Sequence, residues 1–350
     1  MQDALAAPSL GEAYREHFLV GAAVNGFMLR DERHCRLVAR HFTSLTAENE
    51  MKPERLLDRN ATLALGDPIR CALNFDVADR MLAFARDNGI QVRYHTLTWH
   101  NQTPRWFFAE DWNDALDAPL ADAETILARQ EAYILQVMEH VNTAFPGLVY
   151  CWDVVNEVVE PDQEGPNSLR TRSLWYQTTG SAFIPNAFRA ARKGQAEGQL
   201  LFYNDYNSYF PAKQAAILKL LEALKAEGLV DGMGMQTHMD INRWNLAAFE
   251  TGARAYTALG LTLHVTEMDI HCPGNDPDSQ AALAKAYGDF FAMLLQLQRE
   301  GAKVGCATLW GVTDRFTWLR FFRREESYPL LFDGEMQTKP AYDAVLDAVK

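Results

Sequence analysis

A closed (β/α)8 (TIM) barrel, a single α/β domain spanning residues 1–350, is the fold that this sequence predicts, and three observations predict it. The first is a joint that recurs along the chain: an amphipathic segment, a glycine, then an apolar run rich in β-branched and aromatic residues. It stands at FARDNGIQVRYH around Gly89, ALKAEGLVDGMGMQTH around Gly228, YTALGLTLHVTE around Gly260 and LQREGAKVGCATLW around Gly301, with ARKGQAEGQLLFYND around Gly198 as a less regular fifth. Glycine suits the left-handed residue that ends a helix, and the residues after it have the composition of a strand. The second is number: eight strand candidates alternate with helical stretches, as the βαβ units of a parallel sheet require. The third is polarity, because every candidate is apolar at its start and polar or aromatic at its end.

In chain order, strand one is 18–25, ending on Asn25, and strand two is 42–49, ending on Glu48 and Asn49. Strand three, 91–100, carries His95, Trp99 and His100; strand four, 148–157, ends on Asn156 and Glu157. Strand five, 200–207, ends with Asn204 and Tyr206, and strand six, 232–239, with Gln236 and His238. Strand seven, 261–270, carries Glu267 and Asp269; strand eight, 304–314, carries Trp310 and Asp314. Any α/β protein has some polar caps at strand ends. A full set of eight describes one mouth of a barrel, which is where barrel chemistry sits.

Composition narrows the chemistry. Nearly half the residues (48%) are hydrophobic and no stretch is of low complexity, so a large core is available. The net charge of -13, without basic clusters, argues against nucleic acid or an anionic membrane surface as partner and leaves a neutral ligand favoured. Five scattered cysteines (Cys35, Cys71, Cys151, Cys272, Cys306) form no CxxC pair and mildly favour a reducing compartment. The opening MQDALAAPSLGEAYREHF has no signal-peptide pattern and no run would span a bilayer, so a cytoplasmic location is expected, or a secreted or periplasmic one if a leader has been removed.

Glu157 and Glu267 end the fourth and seventh candidates, which the barrel places across the mouth from each other. Two carboxylates flanking a pocket are the minimum equipment for glycoside hydrolysis; alternatively, each pairs with an Arg or Lys on the rim. Alternation puts Val149, Cys151, Asp153, Val155 and Glu157 on one face, so apolar residues are expected beneath Glu157 to favour its protonated form, with Asp153 deeper as a supporting partner. His95, His100 and His238 lie at strand ends, whereas His17, His34, His41 and His140 lie in helical stretches. Three convergent histidines could hold zinc, but no HxH or HExxH spacing occurs, and no metal or organic cofactor is expected. Trp99, Trp310, Trp318 and Tyr206 offer aromatic faces of the kind that stack on pyranose rings, while Trp152 reads as core.

WDVVNE (152–157), VTEMDI (265–270), TAENEMKPE (46–54), YHTLTWHNQTPRWF (94–107), YNDYN (203–207), MQTHMD (235–240) and LWGVTDRFTW (309–318) occur in the order in which family 10 glycoside hydrolases carry them. The chain resembles that family, the retaining endo-β-1,4-xylanases, over nearly its whole length. The resemblance implies hydrolysis of xylan or xylo-oligosaccharides through a covalent glycosyl-enzyme, with Glu157 as acid/base and Glu267 as nucleophile about 5–5.5 Å apart. It further implies that Asn156 binds the sugar 2-hydroxyl, that His238 and Asp269 hold Glu267, and that His95 and Gln236 complete the surround. Glu48, Asn49, Lys52, Gln102 and Trp310 are implied on the glycone side, Trp318 closing over it, and Tyr206 on the aglycone side. A β-1,4-glucan or aryl-glycoside hydrolase of the same fold is the alternative, and a sugar-binding barrel without turnover a second. The sequence departs from the family pattern at Pro53, at Met268 and in LRFFRREESYPL after Trp318.

Overall fold

The computed structural model describes residues 2–163 and 166–350. Its centre is a ring of eight parallel strands: β1 (Leu19–Val24), β2 (Ser44–Ala47), β3 (Gln91–Tyr94), β4 (Val149–Asn156), β5 (Leu200–Asp205), β6 (Gly232–Met235), β7 (Thr262–His271) and β8 (Val304–Leu309). Each pairs with the next, and β8 closes on β1 through Leu19–Cys306 to Ala22–Leu309. A helix follows every strand, from Glu32–His41 after β1 to Pro340–Ala348 after β8. Asp31, Asp122, Asn245 and Asp276 start four of these helices, their side chains accepting backbone N–H groups of the first turn. All five joint glycines take up the left-handed conformation, with φ between 67° and 96°.

Three strands stop well short of their expected ends at the mouth, strand three at Tyr94, strand six at Met235 and strand eight at Leu309. Strand three stops at Tyr94 because the Thr96 hydroxyl and the Leu97 N–H both turn to the Asp153 carbonyl, at 2.9 Å; only Thr98–Trp99 rejoins β4. Strand six stops at Met235, where Thr237 enters the left-handed region (φ 68°), and His238–Asp240 resumes beside Asp269–His271. Strand eight ends at Leu309, and the Trp310 N–H makes a last bond to the Met268 carbonyl at 2.9 Å. Met268 is itself fully buried. Pro53 opens the short helix Pro53–Leu56, where a missing N–H costs nothing.

The barrel floor is packed by bulky side chains set against glycines. The Phe202 and His264 rings stack at 4.2 Å. A Cβ on Gly232 would stand 2.3 Å from the Phe202 ring, and one on Gly305 would stand 2.5 Å from His264 Nε2. Trp152 is fully buried outside the ring, its N–H donated to Gln199 at 2.8 Å. No helix among the described residues is long and apolar enough to cross a membrane.

Candidate active site

Glu267 lies within β7, 5% exposed. Its Oε1 accepts the Asn204 amide N–H at 2.8 Å and its Oε2 faces His238 Nε2 at 3.2 Å. His238 Nδ1 meets Asp269 at 3.0 Å, and Asp269 accepts the Trp318 indole N–H at 2.7 Å. Trp318, Asp269, His238 and Glu267 thus form one line of hydrogen bonds. Burial alone would raise the Glu267 carboxyl, but the His238 bond and the charges of His95, His238 and Arg93 overcome it and hold the group at about 2. Burial opposes charge on His238 too, yet Asp269 and Glu267 carry it up to about 10. The pair is a carboxylate against an imidazolium.

Beneath it, Arg93 and Asp153 are both fully buried and paired, and His95 Nδ1 shares the same Asp153 oxygen at 2.7 Å. Asp153 thus lies below the mouth, bonded to Arg93 and His95. Arg93, a charge in the middle of a strand, received no role from the sequence although QVRYH displays it plainly.

Glu157 comes directly after the last residue of β4 and is half-buried, at φ 56°. A left-handed conformation outside glycine costs about 1–3 kcal/mol and persists only where the surroundings enforce it. Here the Glu157 N–H is held by the Asn204 carbonyl at 2.9 Å and its C=O by Arg170 Nε at 3.1 Å. The apolar surround expected for its carboxyl is not what the chain builds. β4 bulges between Asp153 and Val155, so simple alternation does not run through to Glu157. The carboxyl is gripped by two neutral donors, Trp99 Nε1 at 2.9 Å and Gln236 Nε2 at 2.7 Å.

β4 and β7 are separated in the ring by β5 and β6, and Asn204 of β5 bridges the interval. Its amide N–H group reaches both Asn156 Oδ1 and Glu267 Oε1 at 2.8 Å, and its Oδ1 accepts from Thr266 at 2.7 Å. That leaves Asn156 Nδ2 buried and without a partner among the described residues, a donor free for a ligand. Gly234 makes room for the bridge, since a Cβ there would stand 2.4 Å from Asn204 Oδ1. Asn204 was visible as a strand-end polar residue, but nothing in YNDYN distinguishes a bridging amide from a cap.

The remaining candidates surround this pair. Asn49 accepts from Lys52 Nζ at 3.1 Å and from Gln102 at 3.3 Å, and the Lys52 ammonium sits 4.8 Å from the Trp99 ring centre. Burial lowers Lys52, although Glu267, Glu48 and Glu157 pull it back. Burial raises Glu48, partly offset by its bond from Asn25 at 3.1 Å. Trp310 packs edge-on against His95 at 5.6 Å and His238 at 6.2 Å. On the other side, the Tyr206 hydroxyl donates to Glu160 at 2.6 Å and accepts from Arg170 at 2.9 Å, with Lys213 Nζ 3.4 Å from its ring centre. Arg170 comes from a loop and carries no sequence signal. Burial drives the His100 imidazole down to about 3. Among the described residues no group of three or more His, Cys, Asp or Glu is arranged to hold a metal ion.

A closed barrel with two unlike carboxyl groups at one mouth has known counterparts. Residues 9–348 match the model of glycosyl hydrolase family 10. The endo-1,4-beta-xylanase B of Butyrivibrio fibrisolvens is 44% identical over 346 residues, covering 97% of this chain and 53% of that protein. The endo-1,4-beta-xylanase A of Thermotoga maritima is 36% identical over 345 residues, covering 97% of this chain and 30% of its own length. The chain thus spans about half the length of the first of these relatives and less than a third of the second. Among solved structures, the CBM22-1 and GH10 modules of Clostridium thermocellum Xyn10B complexed with xylohexaose superimpose with a TM-score of 0.89 at 30% identity, over 99% of this chain and 68% of that one. With this match over nearly its whole length, the chain belongs to glycosyl hydrolase family 10.

Proposed function

We propose that the chain is a retaining endo-1,4-β-xylanase, cleaving β-1,4-xylosidic bonds in xylan or xylo-oligosaccharides. The observation that carries this reading is the unlike pair: Glu267 held as a carboxylate by His238, and Glu157 half-exposed between two neutral N–H donors. Glu267 attacks the anomeric carbon while Glu157 gives its proton to the leaving oxygen, forming a glycosyl ester on Glu267. Glu157, now charged, takes a proton from water, which displaces the sugar and restores both groups. Asn156 Nδ2 serves the 2-hydroxyl, where hydrogen bonding strengthens as the oxocarbenium-like state forms. Tryptophans 99, 310 and 318 supply apolar walls, and Lys52, Asn49 and Gln102 the hydroxyl contacts on the glycone side. All five cysteines are free, which fits a reducing compartment such as the cytoplasm.

The test is to follow the hydrolysis of 4-nitrophenyl β-xylobioside by proton NMR. The β-anomer of xylobiose should appear first and equilibrate afterwards; the α-anomer appearing first would replace double displacement with inversion.

A further inference from the structure

We propose that Phe321 and Phe322, beside Trp318, form an additional subsite for xylosyl units at the non-reducing end of the bound chain, beyond Glu48. The proposal rests on the xylanase reading above. It begins from two side chains that no core explains: Phe321 is 89% exposed and Phe322 70%. Large apolar groups displayed to water mark a surface made for contact. They stand on the short helix Leu319–Arg323, inside the segment where the sequence departs from the family pattern.

This helix is fixed in place. Leu319 is buried, and Arg323 pairs with Asp240 at 2.9 Å, tying the helix to the extension of β6 next to His238. The two rings are therefore presented by an anchored element. Phe322 packs on Trp318 with ring centres 4.7 Å apart. Trp318 packs on His238 at 5.0 Å, and His238 on Trp310 at 6.2 Å. An aromatic line runs outward from beside Glu267 to Phe322.

A cavity of about 660 Å³ lies along this line, its walls including Asn25, Glu48, Phe316, Trp318, Phe321 and Phe322. Glu48 and Trp318 belong to the glycone side of the proposed site, so the cavity continues the sugar-binding cleft. That continuity decides the occupant: the next units of the same chain, rather than a second macromolecule. Phenylalanine has a flat apolar face and no polar tip, so it stacks on the C–H face of a pyranose without reading its hydroxyls. The subsite sets a preference for length.

The experiment compares Phe321→Ala, Phe322→Ala and the double variant with the parent on 4-nitrophenyl β-xylobioside and on xylohexaose. Both residues are exposed, so the variants should fold with unchanged melting temperatures. The double variant should lose roughly 10-fold in kcat/KM on xylohexaose while staying within about 2-fold on the short substrate, and Phe322→Tyr should retain most of the parent's preference. An equal fall on both substrates, or none on either, overturns the subsite and leaves the xylanase reading standing. A parent inactive on both substrates overturns that reading, and the subsite with it.

Discussion

The two carboxyl groups at the mouth are held by opposite means. Glu267 is buried, and its charge is fixed by an imidazolium that is itself fixed by Asp269 and Trp318. Glu157 is half-exposed, sits on a strained backbone, and touches only neutral donors through its side chain. Under the proposed double displacement, the group that must stay charged is given a cation, and the group that must exchange a proton in each half-reaction is given only neutral donors. The same polypeptide achieves the difference by where each group stands on its strand: Glu267 lies within β7, which runs on to His271, and Glu157 comes just after β4 ends at Asn156.

The comparison breaks most completely through the carboxyl groups themselves. Glu267→Ala should lower turnover on every substrate by about 10⁴-fold or more, as removal of a nucleophile does. Glu157→Ala should cost about 10²–10⁴-fold on xylo-oligosaccharides but little in the first half-reaction with a dinitrophenyl xyloside, whose leaving group needs no proton. Similar losses for both variants on both substrates would erase the division of roles.

The charge on Glu267 can be tested next. His238→Asn removes the bond and the cation that oppose burial, so the Glu267 carboxyl rises from about 2. The acid limb of the kcat/KM profile should move to higher pH by about 1–2 units. A carboxyl depressed on folding contributes stability above its ordinary value of 4.5 that is lost as pH falls towards about 2; in the variant that contribution should be smaller and its loss complete at a higher pH. An acid limb that does not move would mean that Arg93 and His95 suffice.

The smallest expected effect lies at the bridge between the two groups. Gly234→Ala would press a methyl group onto Asn204, which reaches both Asn156 and Glu267. Denaturant titration should show about 1–3 kcal/mol of lost stability, and kcat should fall more than KM rises. A variant stable and active as the parent would show that the Asn204 amide is not held by its space.

Much of this was legible in the chain. Strand number and order emerge from the glycine joints and the apolar runs, because those patterns are local. The positions of Glu157, Glu267, His238, Asp269 and Gln236 at one mouth come from their places at strand ends. What escaped depends on contacts distant in sequence. Strand three ends early because Thr96 and Leu97 find a carbonyl on β4. The surround of Glu157 was misjudged because the bulge near Asp153 breaks the alternation on which that expectation stood. Arg170 holds the Glu157 carbonyl from a loop whose sequence has no period to read.

The floor of the barrel carries a consequence for descent. Phe202 occupies space that Gly232 vacates, and His264 space that Gly305 vacates, with the two rings stacked on each other. A glycine that gains a methyl group before its neighbour shrinks meets a collision; a ring that shrinks first leaves a void. These four positions on four different strands are therefore one heritable unit, and a lineage or a library that varies them singly will keep returning to the present set.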